Sequence, residues 1–468
     1  MDAPAPTDAA RSPRVLFISR SIAHFSYYDS ILAALLARGA RVEIDFDTGW
    51  SKKWRQTDMT AVDAFRADHP ALETGWSVRR SDARRDRIFA LRELRSYRSY
   101  LTRRETTPYY IERWRDYLDE PWKTRSGDAL FKALLASPIG DVLLRAAEAA
   151  TPPDAGIVEF IRSRAPDVLV ISPTNLRFSE ETDYIKAAHS LGVPTAVPVL
   201  SWDNLSTKGL IQIAPDKLFV WNEHHLQDAL EIQGIGRGRI EVAGAPFFDK
   251  WFDPAAGLPR REDFCRQLGL DPERRILLYL GSSRKIAANE VWFVEKLRRF
   301  LQTSQNGQLR GCQLLIRPHP ANAKIYEALS GEDVCVYPKG GELPETRDGF
   351  TQMRASFLHA EAAIGINTSG MIDAVLAGLP TFSMRIARYA HTQSEAKHFR
   401  YLEDDDALYL SDDLTGLCET LIGLFAGEDP KAENRLAFAR KFARPRGLER
   451  SAGDVVAEGV LKLAARRR

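Results

Sequence analysis

The segment Ile316–Asn322, IRPHPAN, sets an arginine and a histidine directly after an apolar run, with two prolines fixing the backbone around His319. Arg317 suits a phosphate through bidentate pairing, and His319 can donate to an oxyanion. A second stretch, IGINTSGMIDAVLAGLP (Ile364–Pro380), places Thr368, Ser369 and Gly370 between an apolar run and a short amphipathic pattern that stops at Gly378 and Pro380. Two chemistries fit it: ordinary helix capping, or an anion held by the N–H groups of a helix start. Asp373 follows Ser369 by about one turn on the same side, so it is either a helix-surface acid or a ligand for a ribose diol beside a phosphate. A third cluster, LGSSRK (Leu280–Lys285), offers Gly281, Ser282 and Ser283 with two bases. It lacks the GxxxxGK[ST] spacing of a P-loop and alone reads as a turn. Together the three form a set of strand-end clusters in one half of the chain.

The first half carries candidates for proton transfer. SRSIAHFSYYDS puts His24 in the loop after the first strand, and LSWDNLSTKG puts Asp203 and Asn204 in a later strand-end loop near Lys208. His24 or Asp203 could be a general base for an acceptor hydroxyl; the competing readings are a capping histidine and an Asx-turn aspartate. Glu180 and Glu181 read as helix-start acids. The D-x-D of Asp45–Asp47 reads as a strand end and Glu403–Asp406 as a solvated loop, so no essential metal is expected. No GxSxG and no Cys/His nucleophile pair occurs. Cys265, Cys312, Cys335 and Cys418 have no CxxC spacing and read as small buried hydrophobes.

These residues need a scaffold, and 468 residues with 44% hydrophobic content suit two or three domains. A net charge of +2 implies no polyelectrolyte partner. Apolar runs of strand length alternate with helical patterns: RVLFIS, RVEIDF, DVLVIS, PTAVPVL, KLFVW and IEVAG in the first half, then RILLYLGSS, CQLLIRPHP, VCVYP and PTFSM in the second. The expected fold class is α/β, two Rossmann-like doubly wound domains facing a cleft, with ligands at the carboxyl ends of strands. Residues 1–13 read as a disordered tail, 14–252 as the N-terminal domain and 260–440 as the C-terminal domain. Residues 441–468 read as a basic C-terminal helix. No run of about 18 apolar residues marks a transmembrane helix, so a cytoplasmic protein is expected, one that could touch a membrane surface.

Between about 50 and 150 the pattern turns helical, an insertion in the first domain. From Arg79 to Arg125 there are 14 Lys/Arg against 8 Asp/Glu, interleaved with aromatics. Three readings stand: a solvated helical lid, a grip on anionic lipid head groups or a lipid-linked acceptor, and nucleic-acid binding, for which no motif is present.

Taken together, VLFISRSIAHFSYYDSILAALLARGARVEI, VAGAPFFDKW, RPHP and NTSGMIDAVLAGLP resemble nucleotide-sugar glycosyltransferases of the GT-B fold. The last motif is also similar to non-hydrolysing UDP-GlcNAc 2-epimerases and CDP-glycerol phosphotransferases. The resemblance covers roughly residues 14–48 and 165–445. It implies a nucleotide-sugar donor as substrate, no cofactor, no metal, and a saccharide or lipid-linked hydroxyl acceptor in surface polysaccharide or glycolipid assembly. Carried over, Arg317, His319, Thr368, Ser369 and Gly370 would hold the donor phosphates and Asp373 the ribose. Gly281, Ser282 and Ser283 would flank the donor, and His24 or Asp203 would be the base. Asp373 stands where several of these families have Glu. His391, Gln393 and His398 could close over the donor.

Overall fold

The protein was analysed as a computed structural model, described over residues 11–47, 49, 58–253, 257–344 and 346–467. Residues 1–10 of the expected tail, 50–57 at the start of the expected insertion and 254–256 of the linker lie outside the described residues.

The chain divides into two compact units. The first runs up to Asp249 and also takes in Arg444–Arg468; the second is Lys250–Ala443. The first is built on seven strands: β1 (Arg14–Ser19), β2 (Arg41–Asp47), β3 (Glu73–Ser77), β4 (Val168–Ser172), β5 (Thr195–Pro198), β6 (Lys217–Val220) and β7 (Ile240–Val242). Their order is β3-β2-β1-β4-β5-β6-β7, every neighbour parallel. The second unit has β8 (Ile276–Leu280), β9 (Gln313–Arg317), β10 (Val334–Val336), β11 (Ala362–Gly365), β12 (Thr381–Met384) and β13 (Tyr409–Ser411). They run in the order β10-β9-β8-β11-β12-β13, again all parallel. Both sheets therefore reverse strand order at one point, β1/β4 and β8/β11, where doubly wound folds take ligands.

The strands are continuous apolar runs because a parallel sheet is covered on both faces. Phe17, Ile44 and Val170 are fully buried in the first core, Leu277, Leu314 and Ile364 in the second. The edge strand β3 departs from that rule. β3, ETGWS, is half-exposed and contains a glycine, and it occupies residues expected to belong to the insertion. The insertion proper begins beyond it, with helices Arg85–Thr102, Pro108–Arg115, Glu120–Arg125, Ala129–Ala136 and Pro138–Ala150.

Many of its arginines are not a free basic surface. Arg92 pairs with Glu148 and Asp183, Arg80 with Asp82 and Asp183, and Arg85 with Glu180. Arg80 and Arg92 are buried, so these charges fasten the insertion to the helix Glu181–Ser190 behind β4.

The expected separate C-terminal helix is instead part of the first unit. Helix Ala452–Arg467 buries Val455, Val456, Val460, Leu463 and Ala464 in the first core. Gly453 meets Ser30 of helix Asp29–Ala37, and Gly459 meets the Phe219 ring, where a Cβ would fall 2.4 Å from a ring carbon. Its apolar stripe has no other core to fill, and its basic residues occupy the opposite face. Asp249 accepts from the Ala452 and Gly453 amides at 2.9 and 2.8 Å and pairs with Arg444.

Candidate functional site

In the second unit the sheet register aligns the candidate loops. Leu280 on β8 pairs with Arg317 on one side and Gly365 on the other, and Gly365 pairs with Ser383. With strands about 4.8 Å apart, the loops that begin at Gly281, Pro318 and Ile366 leave one edge side by side. Gly281 donates to the Arg317 carbonyl at 2.9 Å; a Cβ there would lie 3.1 Å from the His319 nitrogen and the Tyr326 hydroxyl. A bare backbone thus allows the first two loops to touch.

Arg317 is a partly buried cation of this edge with few commitments. Its guanidinium donates one hydrogen bond, from Nη1 to Ser356 Oγ at 3.1 Å, and among the described residues it has no ion pair. Burial lowers its pKa to about 10, opposed by Tyr337 and Asp373. A guanidinium has five N–H donors, so most of this one remains open to an anion. His319 Nδ1 accepts from the Ala321 amide at 3.1 Å, which assigns the proton of the neutral ring to Nε2. Burial lowers its pKa, keeping the ring neutral and Nε2–H a donor.

The Thr368–Gly370 turn is narrower as an anion site than its sequence suggests. Helix Gly370–Leu376 has seven residues, and the Met371 and Ile372 amides already donate to the Thr368 and Ser369 carbonyls. The Gly370 amide makes only a 3.4 Å contact with Thr368 Oγ1, and the Ser369 side chain is exposed and caps nothing. Hydroxyls, more than amides, are what this turn presents.

Asp373 faces inward. Its Oδ1 accepts from the Trp251 indole at 2.7 Å, and burial raises its pKa to about 6 against the pull of Lys250, Trp251 and Arg317. The Trp251 bond engages Oδ1, so part of the carboxylate is committed within the protein. Ser282 is also turned in: it is fully buried, and its amide donates to Glu290 at 2.5 Å. Ser283 stays partly exposed at the start of helix Arg284–Ala287. Glu290, which the sequence reading missed, also accepts from Tyr279 and Tyr326, and burial raises its pKa. A glutamate before an amphipathic helix carries no sign that it will be buried. Gln393 is buried and donates to the Ile366 and Met384 carbonyls, which makes it a brace between β11 and β12.

In the first unit His24 lies in the short helix Ile22–Tyr27, with Tyr27 edge-on at 6.2 Å. Its Nδ1 is buried without a hydrogen bond, and burial plus the nearby Arg20 charge depress its pKa to about 3. Among the described residues it has no carboxylate partner, so nothing raises its basicity for the role expected of it. Asp203 pairs with Lys208 at 2.7 Å and accepts from Ser201 Oγ at 2.8 Å, within its own loop.

Among the described residues no group of three or more His, Cys, Asp or Glu is placed to hold a metal ion, and no helix is long and apolar enough to cross a membrane.

No protein-family model matches the chain. No curated protein matches it either. Solved structures do. A UDP-N-acetylglucosamine 2-epimerase is 11% identical over 98% of each chain with a TM-score of 0.54. The Neisseria meningitidis UDP-GlcNAc 2-epimerase bound to UDP-GlcNAc is 11% identical over 96% of this chain and 100% of its own, TM-score 0.52. Arabidopsis thaliana UGT89C1, complexed with quercetin, is 13% identical over 97% and 100%, TM-score 0.51. At these identities the likeness defines the fold, and the fold is GT-B: two doubly wound parallel-sheet units, as the strand orders show.

Proposed function

We propose that the chain is a GT-B glycosyltransferase that moves a sugar from a nucleotide-sugar donor to a hydroxyl acceptor. The carrying observation is Arg317: a strand-end guanidinium with one hydrogen bond and, among the described residues, no ion pair, beside a neutral histidine that presents Nε2–H. A departing nucleoside diphosphate gathers negative charge in the transition state, and donors already in place stabilise it without reorganisation. On this reading Arg317 and His319 bind the diphosphate, and the Thr368 and Ser369 hydroxyls complete the cradle. Gly281 keeps the two loops together, and Asp373 is a positioning residue that fixes the turn against Trp251. The reaction runs without an added metal, the guanidinium supplying the positive charge. Asp203 is the base on this reading, since the His24 ring is so weakly basic.

The acceptor is a saccharide or lipid-linked saccharide, as in surface polysaccharide or glycolipid assembly. Contact with a membrane surface is supported by Leu130, Leu134, Ile139, Val142 and Leu143. All are more than half exposed on helices Ala129–Ala136 and Pro138–Ala150. Such a patch is unusual on a protein without a partner.

The test is a thermal-shift panel of UDP, CDP, CMP, GDP, ADP and dTDP on wild type and on Arg317→Ala. A ligand of the native state raises the melting temperature. One responder, lost in the variant, names the donor nucleotide; no responder at millimolar ligand overturns the reading. A second reading, a nucleotide-sugar 2-epimerase, follows from the two epimerases that share the fold. It predicts conversion of the sugar in the nucleotide-sugar with no acceptor present.

A further inference from the structure

A cavity of about 490 Å³ lies within the first unit. Its lining includes Arg20 after β1, Asp47 ending β2, Arg79 beyond β3, and Phe178 and Glu180 beyond β4. Arg85, Phe89 and Ala90 come from the inserted helix Arg85–Thr102. The cavity thus sits at the β1/β4 reversal and owes one wall to the insertion.

Each of its arginines is paired, and Asp86 and Asp119 add further negative charge to the lining. Arg20 pairs with Glu181, Arg79 with Asp47 through two bonds of 2.7 and 2.9 Å, and Arg85 with Glu180. An anion entering here meets guanidiniums that are already neutralised, unlike Arg317. A hydroxyl, which donates and accepts at once, matches an arginine–carboxylate pair that offers both functions side by side.

Two aromatic rings stand beside these pairs, Phe89 and Phe178, edge to face at 6.3 Å. Phe178 has φ +51°, a left-handed conformation that costs a bulky residue about 1–2 kcal/mol. Its ring is nonetheless 39% exposed. Its amide donates to Glu93 at 2.9 Å. Glu93 lies one turn beyond Phe89 and Ala90 on the same helix, is buried, and leaves Oε2 without a hydrogen bond. Arg20 and Asp119, both in the cavity lining, are among the charges that act on it.

We propose that this cavity binds a neutral polyhydroxylated ligand, a sugar ring. Its hydroxyls bond to the Arg79–Asp47 and Arg85–Glu180 pairs, and its apolar face lies against Phe178. On the transferase reading above, which this rests on for the ligand's role, the sugar is the acceptor's terminal residue.

The test is saturation-transfer NMR on the full chain. The probes are the methyl glycosides of glucose, galactose and mannose at millimolar concentration, each with and without inorganic phosphate. We expect at least one glycoside to receive transfer from wild type and from Arg317→Ala, undiminished by phosphate. Ala90→Trp, which fills the cavity, should weaken it tenfold or more, and Phe178→Ala several-fold. Three results overturn the proposal: no transfer to any glycoside, transfer that phosphate abolishes, or transfer unchanged in folded Ala90→Trp. If that variant does not fold, unchanged transfer with Phe178→Ala overturns it instead. Failure of the nucleotide panel with glycoside binding intact would strike the donor reading alone.

Discussion

The Trp251 indole donates a 2.7 Å hydrogen bond to Oδ1 of Asp373, across 122 residues of sequence. Phe350 and Phe357 meet the same indole edge-on, each at 5.4 Å. The acid of the small-residue turn is thereby locked to an aromatic cluster, and the hydroxyls of Thr368 and Ser369 are left facing outward. Trp251→Phe keeps the ring contacts and removes the donor. It should cost about 1–3 kcal/mol, the price of a buried acceptor losing its partner. Urea unfolding followed by a probe in the second unit would show a lower midpoint at unchanged slope.

Arg317→Met should stabilise the free protein while it removes nucleotide binding. Burial holds the Arg317 pKa down at about 10, a penalty that Tyr337 and Asp373 offset only in part. Relieving that penalty should be worth on the order of 1 kcal/mol, the usual exchange of stability for function at a site. A melting temperature that rises in the absence of ligand and no longer responds to nucleotide would bear this out.

Glu93 sets a pH dependence in the first unit. Burial raises its pKa to about 7, well above an ordinary glutamate. Below about pH 4.3 the group is protonated in both folded and unfolded chains and carries no penalty. As pH rises through 7 the folded state must ionise a buried acid, and that stability is lost. Glu93→Gln should therefore melt higher than wild type at pH 8, with the gain shrinking toward pH 4.

Gly459→Val should loosen the first unit. A Cβ at this position would meet the Phe219 ring at 2.4 Å, so the helix must shift off the sheet, at a cost of about 1–3 kcal/mol or more. Lys462→Ala, on the exposed face of the same helix, should change the unfolding midpoint little.

The exposed leucines of the insertion should matter only where lipid is present. Leu130→Asp combined with Leu143→Asp should reduce sedimentation with anionic vesicles several-fold and leave the melting temperature near wild type, since both side chains are already in water.

The sheet cores were legible because a doubly covered strand has to be apolar throughout. Val15–Ile18 and Leu277–Leu280 show this in their residue types alone. β3 was hidden because an edge strand such as Glu73–Ser77 can be polar and contain glycine. Arg317 was legible as a strand-end cation between an apolar run and a proline. The inward turn of Asp373 was not, because its partner is set by where Trp251 arrives in three dimensions. The Arg-rich insertion misled for the opposite reason: its counter-charges, Asp183 and Glu180, belong to a different stretch of sequence.

The docking of helix Ala452–Arg467 on the first core has a consequence for synthesis. The second unit is a continuous passage of chain inserted into a discontinuous one. A ribosome therefore finishes the second unit before it releases the helix that completes the first. Until then the surface that Val456 and Val460 cover stands open to water. A nascent chain arrested near Ala443 should carry a folded second unit and a first sheet that chaperones still recognise.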